Sequence, residues 1–242
     1  MTNPWLSVPL ADYESHMRSP AVQQLDTLAD FFGETLKIKA PLSIAILGIA
    51  GGNGLDRVDM KTTQRIVGVD INPEYLDSLR ERYAHISNVE LYQADLSQDA
   101  LNIRPVELVH AALLFEHAGT LRCLENALRM VAPEGSLSVV LQLPSTADQA
   151  VGSSEVASVT RFAAHFRFVN PREFSGKLAE CGFRKTYERT QDVASGKAFR
   201  LAIFDRSGVS ASGQTVINRR RHNQRKHDRD KQSADDRNGK RL

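Results

Sequence analysis

Cysteine is scarce in this sequence: Cys123 and Cys181 are the only two among 242 residues. A pair so far apart supplies neither a disulfide framework nor a zinc-ligand set. The usage fits a reducing cytosol, with both thiols read as buried packing groups. Long apolar runs are missing as well. None approaches the ~20 residues needed to cross a bilayer, and the N-terminus lacks a charged head followed by an apolar stretch. Both absences argue against membrane insertion and secretion and for a cytoplasmic location. Net charge is small, at +2, and no internal repeat is visible.

What is present is an ordinary globular composition, 41% hydrophobic and 25% charged, in a chain long enough to bury one continuous core. The charge is unevenly placed. Residues 218–242 carry +6, which leaves −4 on the rest of the chain. A mildly acidic body argues against a nucleic-acid groove on the folded domain, although Arg219, Arg220, Arg221, Arg225 and Lys226 can reach phosphates as a basic arm. No aromatic residue is interleaved for base stacking, so a solvated tail is favoured over a nucleic-acid arm. After Asp205 the large aliphatics are Val209, Val216, Ile217 and Leu242, too few to offset an ordering cost of ~1–2 kcal/mol per residue. Residues 206–242 are expected to be disordered.

Upstream, Val22, Leu25, Leu28, Ala29, Phe32 and Leu36 recur at helical spacing and predict a helix that covers the sheet. Strands and helices then alternate. Strands are predicted at 43–48, 65–70, 88–93, 106–114 and 136–143, with a turn signal at Pro133, Glu134 and Gly135 before the last. A short helix is predicted from about Gly54, one from Pro73, one carrying Leu121, Leu124, Leu128 and Met130, and one opened by Asn170 and Pro171 with Phe174, Leu178 and Cys181 on its apolar side. Segments 183–190 and 197–204, joined through Ser195 and Gly196, read as an antiparallel hairpin. The pattern is α/β: a doubly wound, mostly parallel sheet of seven strands with a C-terminal antiparallel hairpin and helices on both faces.

The segment LGIAGGNG (47–54) is a small-residue turn between a buried strand and the next element, where backbone can approach a ligand and a helix N-terminus can face an anionic group. A tight connection without a ligand is the alternative. Asp70 ends the second strand, 18 positions after Gly52, where its carboxylate is placed to accept from both hydroxyls of a ribose. Asp95, with the Leu96 amide, is placed to read an adenine edge. Each acid has a helix-cap reading beside its ligand reading. A dinucleotide fingerprint would need a small residue where Arg57 stands, which disfavours nicotinamide or flavin binding.

Residues 48–54, then Val69, Asp70 and Ile71, then Ala94, Asp95 and Leu96, then the strand running into Leu113, Leu114, Phe115, Glu116 and His117 resemble the successive cofactor motifs of class I S-adenosylmethionine-dependent methyltransferases. The resemblance covers residues 40–205 and includes the terminal hairpin. It implies a Rossmann-like domain over 41–205, preceded by an N-terminal helical segment over 1–40 and followed by the tail. It implies S-adenosylmethionine as cofactor, held through Gly48, Ala50, Gly52, Gly54, Asp70, Ile71, Asp95, Leu96 and Leu114, with no metal. Two positions depart from the family pattern: Gly48 replaces an acid, and Ala50 replaces the first glycine of the triad. Loss of the acid removes one partner for the cofactor's ammonium.

Methyl transfer needs no covalent enzyme intermediate, and a general base only if the acceptor must lose a proton. His117 is the candidate base, with an exposed helix-capping role as its alternative. Tyr13, Glu14, His16 and Met17 are a second group, since N-terminal segments of this superfamily often fold over the cofactor. Plain helix packing is equally compatible. Arg161, Phe162, His165, Phe166 and Phe168 occupy the region where acceptor recognition occurs in an open α/β sheet, or form a structural aromatic cluster. The expected partner is a small-molecule methyl acceptor. The alternative function is a non-catalytic, nucleotide-binding adaptor that works through its basic tail.

Overall fold

Strand β1 (Ser43–Leu47) is buried from Ile44 onward because it has parallel partners on both sides and covered faces above and below. Its side chains alternate between two cores: Ile44 and Ile46 pack with Phe32 and Leu76, whereas Ala45 and Leu47 pack with Leu124 and Leu178. In the computed structural model the structure describes residues 3–20, 22–144 and 165–207. Arg161, Phe162 and the basic residues of the tail lie outside the described residues. Met1–Ser207 form one compact unit, so the N-terminal helices belong to the body of the sheet domain.

The remaining strands are β2 (Arg65–Asp70), β3 (Val89–Gln93), β4 (Val106–Ala112), β5 (Val131–Leu143), β6 (Phe183–Asp192) and β7 (Ala198–Arg206). They form a seven-stranded sheet in the order β3-β2-β1-β4-β5-β7-β6. Neighbours are parallel from β3 to β5, and β7 is antiparallel to both β5 and β6. The chain therefore moves outward from β1 in one direction and then returns to β1's other side with β4. That reversal leaves a crevice at the carboxyl ends of β1 and β4, where ligands bind in open α/β sheets.

Helices α1 (Leu10–Arg18), α2 (Leu25–Lys39), α3 (Pro73–Arg82), α4 (Phe115–Ala118), α5 (Arg122–Met130) and α6 (Pro171–Glu180) flank the sheet. Two of them begin as the sequence predicts. Asn72 caps α3 by accepting from the Glu74 amide, and Asn170 caps α6 by accepting from the Arg172 and Glu173 amides. Among the described residues no helix is long and apolar enough to cross a membrane.

Several local expectations are corrected. The glycine turn leads into a single 3-10 turn, Leu55–Arg57, and not a helix, because Gly52 and Gly54 both take positive φ and break the run. No helix dipole therefore points at the turn. The signal at Pro133 and Gly135 is a bulge within β5: Val106 pairs Val131 and Leu108 already pairs Ser136. Val22 is buried but precedes α2, whose inward face instead adds Phe31 and Thr35. Leu121 precedes α5 and is 79% exposed, and Cys181 follows α6 and is exposed, whereas Cys123 is buried.

Candidate active site

The crevice at the β1–β4 switch is a cavity of about 1030 Å³ including its mouth. At one end it is lined by Gly48 and Ala50 from the turn after β1, Asp70 and Ile71 from the end of β2, and Asp95 and Leu96 from beyond β3. Leu114, after β4, closes this end. Successive parallel strands end at the same level, so three sequence-distant motifs meet on one rim. Gly52 and Gly54 are not on it. A Cβ on Gly52 would come within 2.7 Å of the Tyr83 ring, and one on Gly54 within 3.1 Å of Phe32, so both glycines serve packing behind the turn.

The two carboxylates are held differently. Asp70 is buried, and it accepts from the Ala50 amide at 2.8 Å and the Asn72 amide at 2.9 Å. It thus ties the glycine turn to the start of α3. Burial pushes its carboxyl up despite these backbone hydrogen bonds. Asp95 lies two residues past the end of β3. It accepts from the Ser97 amide and hydroxyl, from Gln98 at 3.0 Å and from Asn3 at 3.2 Å. Burial raises its carboxyl, but those hydrogen bonds win and hold it below the usual carboxylate range. Both acids therefore also cap local structure, and both still face the cavity. The place of the family's other acid is not refilled: Gly48 adopts φ +69°, and a Cβ there would sit 3.3 Å from Leu114 Cδ1.

The N-terminal segment forms the cavity's cover. Asn72 Nδ2 donates to the Trp5 carbonyl at 2.9 Å, the Trp5 ring lies edge-on to Tyr13 at 5.7 Å and to His117 at 5.0 Å, and Tyr13 stacks on Tyr75 at 6.1 Å. Tyr13, His16 and Met17 line the cavity, whereas Glu14 turns outward to Arg82 at 2.7 Å. Arg82 also donates to the Gly51 carbonyl at 2.8 Å, so this pair clamps α1 over the glycine turn. Tyr75 lines the cavity, and its buried hydroxyl finds no hydrogen-bond partner among the described residues.

The opposite end collects His117 and Phe166 with His16, Gln24, Gln142 and Lys197. His117 sits in α4, half-buried, and not exposed as a helix cap. Burial first, and His165 second, push its pKa down to about 4, so it is a neutral imidazole at pH 7 and a weak proton acceptor. Of the aromatic group, Phe166 is buried on the cavity beside His117 at 5.3 Å, and His165 and Phe168 are exposed. Glu116 points behind the site, where its Oε1 accepts from the Gln142 amide at 2.8 Å and burial raises its carboxyl to about 7. Leu113, on the rim, adopts φ +53°, a left-handed conformation that costs a non-glycine residue ~1–2 kcal/mol. Trp5, Gln142 and Lys197 were not among the residues singled out from sequence. A lone tryptophan in a short polar segment was the one available signal for Trp5, and nothing marked the other two. Among the described residues no group of His, Cys, Asp or Glu is arranged to hold a metal ion.

An open, doubly wound sheet finished by an antiparallel pair, with its cavity at the first switch point and an acid at the end of β2, defines a nucleotide-type α/β domain of the methyltransferase topology. Residues 46–135 match the family described as "Methyltransferase domain". No curated protein matches the sequence. Solved structures share the fold at low identity. The N-methyltransferase NodS from Bradyrhizobium japonicum WM9, in complex with S-adenosyl-L-homocysteine, is 15% identical over 85% of this chain and 93% of its own, with a TM-score of 0.55. Magnesium protoporphyrin IX methyltransferase from Synechocystis PCC 6803 with bound SAH is 12% identical over 75% and 83%, at 0.55. The [4+2]-cyclase SpnF is 12% identical over 77% and 82%, at 0.59, so this fold also serves a protein named for other chemistry.

Proposed function

We propose that this chain binds S-adenosylmethionine at the Asp70 and Asp95 end of the cavity and transfers its methyl group to a small molecule held at the other end. The observation that carries the reading is the convergence of Gly48, Ala50, Asp70, Asp95 and Leu96 on one cavity, in strand order. The residues present fit such a ligand. Asp70 offers carboxylate oxygens to sugar hydroxyls, Asp95 and Leu96 lie where a base edge would sit, and the Tyr75 hydroxyl lacks a partner among the described residues. The methionine portion would meet backbone at Gly48 and Ala50, without the acid common in the superfamily.

When bound, S-adenosylmethionine supplies a methyl group on a sulfonium that departs as a neutral thioether. The chain's own task is to align and enclose. Trp5, Tyr13 and Met17 cover the cavity and exclude water, Leu113 and Leu114 separate its two ends, and His117 with Phe166 walls the acceptor side. A neutral His117 can accept a hydrogen bond from an acceptor's N–H or O–H and so orient its lone pair. A covered cavity of this size suits a small molecule rather than a polymer. Titration calorimetry with S-adenosylmethionine and S-adenosylhomocysteine tests the reading: both are expected to bind with one-to-one stoichiometry, and no heat with either ligand at millimolar concentration would overturn it.

A further inference from the structure

Lys197 immediately precedes β7, just after the hairpin turn, lines the acceptor end of the cavity and is only 4% exposed. A lysine used for packing lays its stem on apolar surface and keeps its ammonium in water. Burial this deep removes that option. Among the described residues no carboxylate pairs with it, and burial is the one influence that moves its pKa, down to about 8. Its charge is felt by His16, whose own pKa is pushed down to about 4 by burial and then by Lys197. The other polar groups at this end are the imidazole of His117 and the amides of Gln24 and Gln142, the two amides 3.4 Å apart. The two acids on the cavity are no counterions for it, being engaged by Ala50, Asn72, Ser97 and Gln98 at the opposite end. Met17, Leu28, Leu113 and Phe166 add apolar side chains to the cavity's lining.

A buried cation with no counterion among the described residues, on a cavity with apolar side chains in its walls, is matched by an anion that brings its own apolar body. We propose that the methyl acceptor is an organic carboxylate with an apolar body, whose charged group is bound by Lys197. This rests on the methyltransferase reading above and names the substrate class of that same site.

The test uses the full chain saturated with S-adenosylhomocysteine and follows the emission of Trp5, the sole tryptophan, which borders the cavity. Acetate, phenylacetate and octanoate are each titrated beside their primary amides. The expected result is saturable binding of phenylacetate or octanoate, with the matching amide weaker by at least about tenfold, the scale of one charge-assisted contact. Lys197→Met should abolish the preference for acid over amide while leaving S-adenosylhomocysteine affinity unchanged, which also reports that the variant is folded. Lys197→Arg should keep the preference, because it keeps the charge. Equal binding of acid and amide, a preference that survives in Lys197→Met, or no binding of any probe to protein that does bind S-adenosylhomocysteine would each overturn the proposal. Failure of S-adenosylhomocysteine itself to bind would instead remove the methyltransferase reading beneath it.

Discussion

At the strand-end half of the cavity, two carboxylates are surrounded by donors that the fold supplies: backbone amides for Asp70, and Ser97, Gln98 and Asn3 for Asp95. At the other half, Lys197 is buried with no counterion among the described residues, and His16 and His117 are held neutral. The difference is one of organisation. The first half is finished by the protein alone, and its acids double as structural caps, so it is preformed for a ligand rich in hydroxyls. The second half carries an electrostatic deficit that the folded chain leaves in place, which is how a site waiting for a charged ligand differs from a packed core.

The sharpest way to break that contrast is to remove the cation. Lys197→Met should stabilise the ligand-free protein, since a fall in pKa from 10.5 to about 8 corresponds to about 3 kcal/mol of cost to the folded state. The folded lysine binds its proton less tightly than the unfolded one. The cost is therefore complete below about pH 8, and it disappears as pH rises from there to about 10.5. Urea unfolding at pH 7 and at the alkaline end should show the variant's advantage at the first and not at the second. A variant less stable than wild type at pH 7 would mean that Lys197 has a partner and the deficit is not real.

Asp70→Ala should weaken S-adenosylhomocysteine binding by about 1–3 kcal/mol and also lower thermal stability, because the Ala50 and Asn72 amides lose their acceptor. Asp95→Ala sharpens the comparison. Its carboxylate is less buried and caps a surface turn, so affinity should fall by about 1 kcal/mol with a smaller loss of stability. Calorimetry and thermal unfolding on both variants separate the roles, and wild-type affinity in Asp70→Ala would refute the ribose assignment. The smallest effect is expected at the clamp: Arg82→Ala should change stability by no more than about 1 kcal/mol, since its pair with Glu14 is partly exposed. A loss well beyond that in urea unfolding would show that the N-terminal cover is anchored chiefly there.

The first half of the site was legible in sequence because its parts are local. A buried strand, a small-residue turn and an acid at the next strand's end identify themselves within a few residues each, and parallel register brings them together. Asp70, Ile71, Asp95 and Leu96 therefore lie on one cavity. The helix expected after the turn was misread for an equally local reason: four small or polar residues with two positive φ values cannot continue as helix. Gly52 and Gly54 carry the motif's pattern but face Tyr83 and Phe32, and sequence does not distinguish a glycine beside a ligand from one beside a ring.

The amino-acid order by itself determined the alternation of strands and helices, the helix start at Pro73, the cap at Asn170, the hairpin that ends the sheet, and the acids at the strand ends. Each is fixed by periodicity or by contacts between near neighbours. Only the tertiary structure decided that Trp5, His16, Gln142 and Lys197, far apart along the chain, share one cavity, and that Glu14 does not. A lysine between a turn and a strand has no distinguishing pattern. Its meaning comes from burial and from the absence of a paired carboxylate among the described residues, and both are properties of the folded surroundings rather than of the residue.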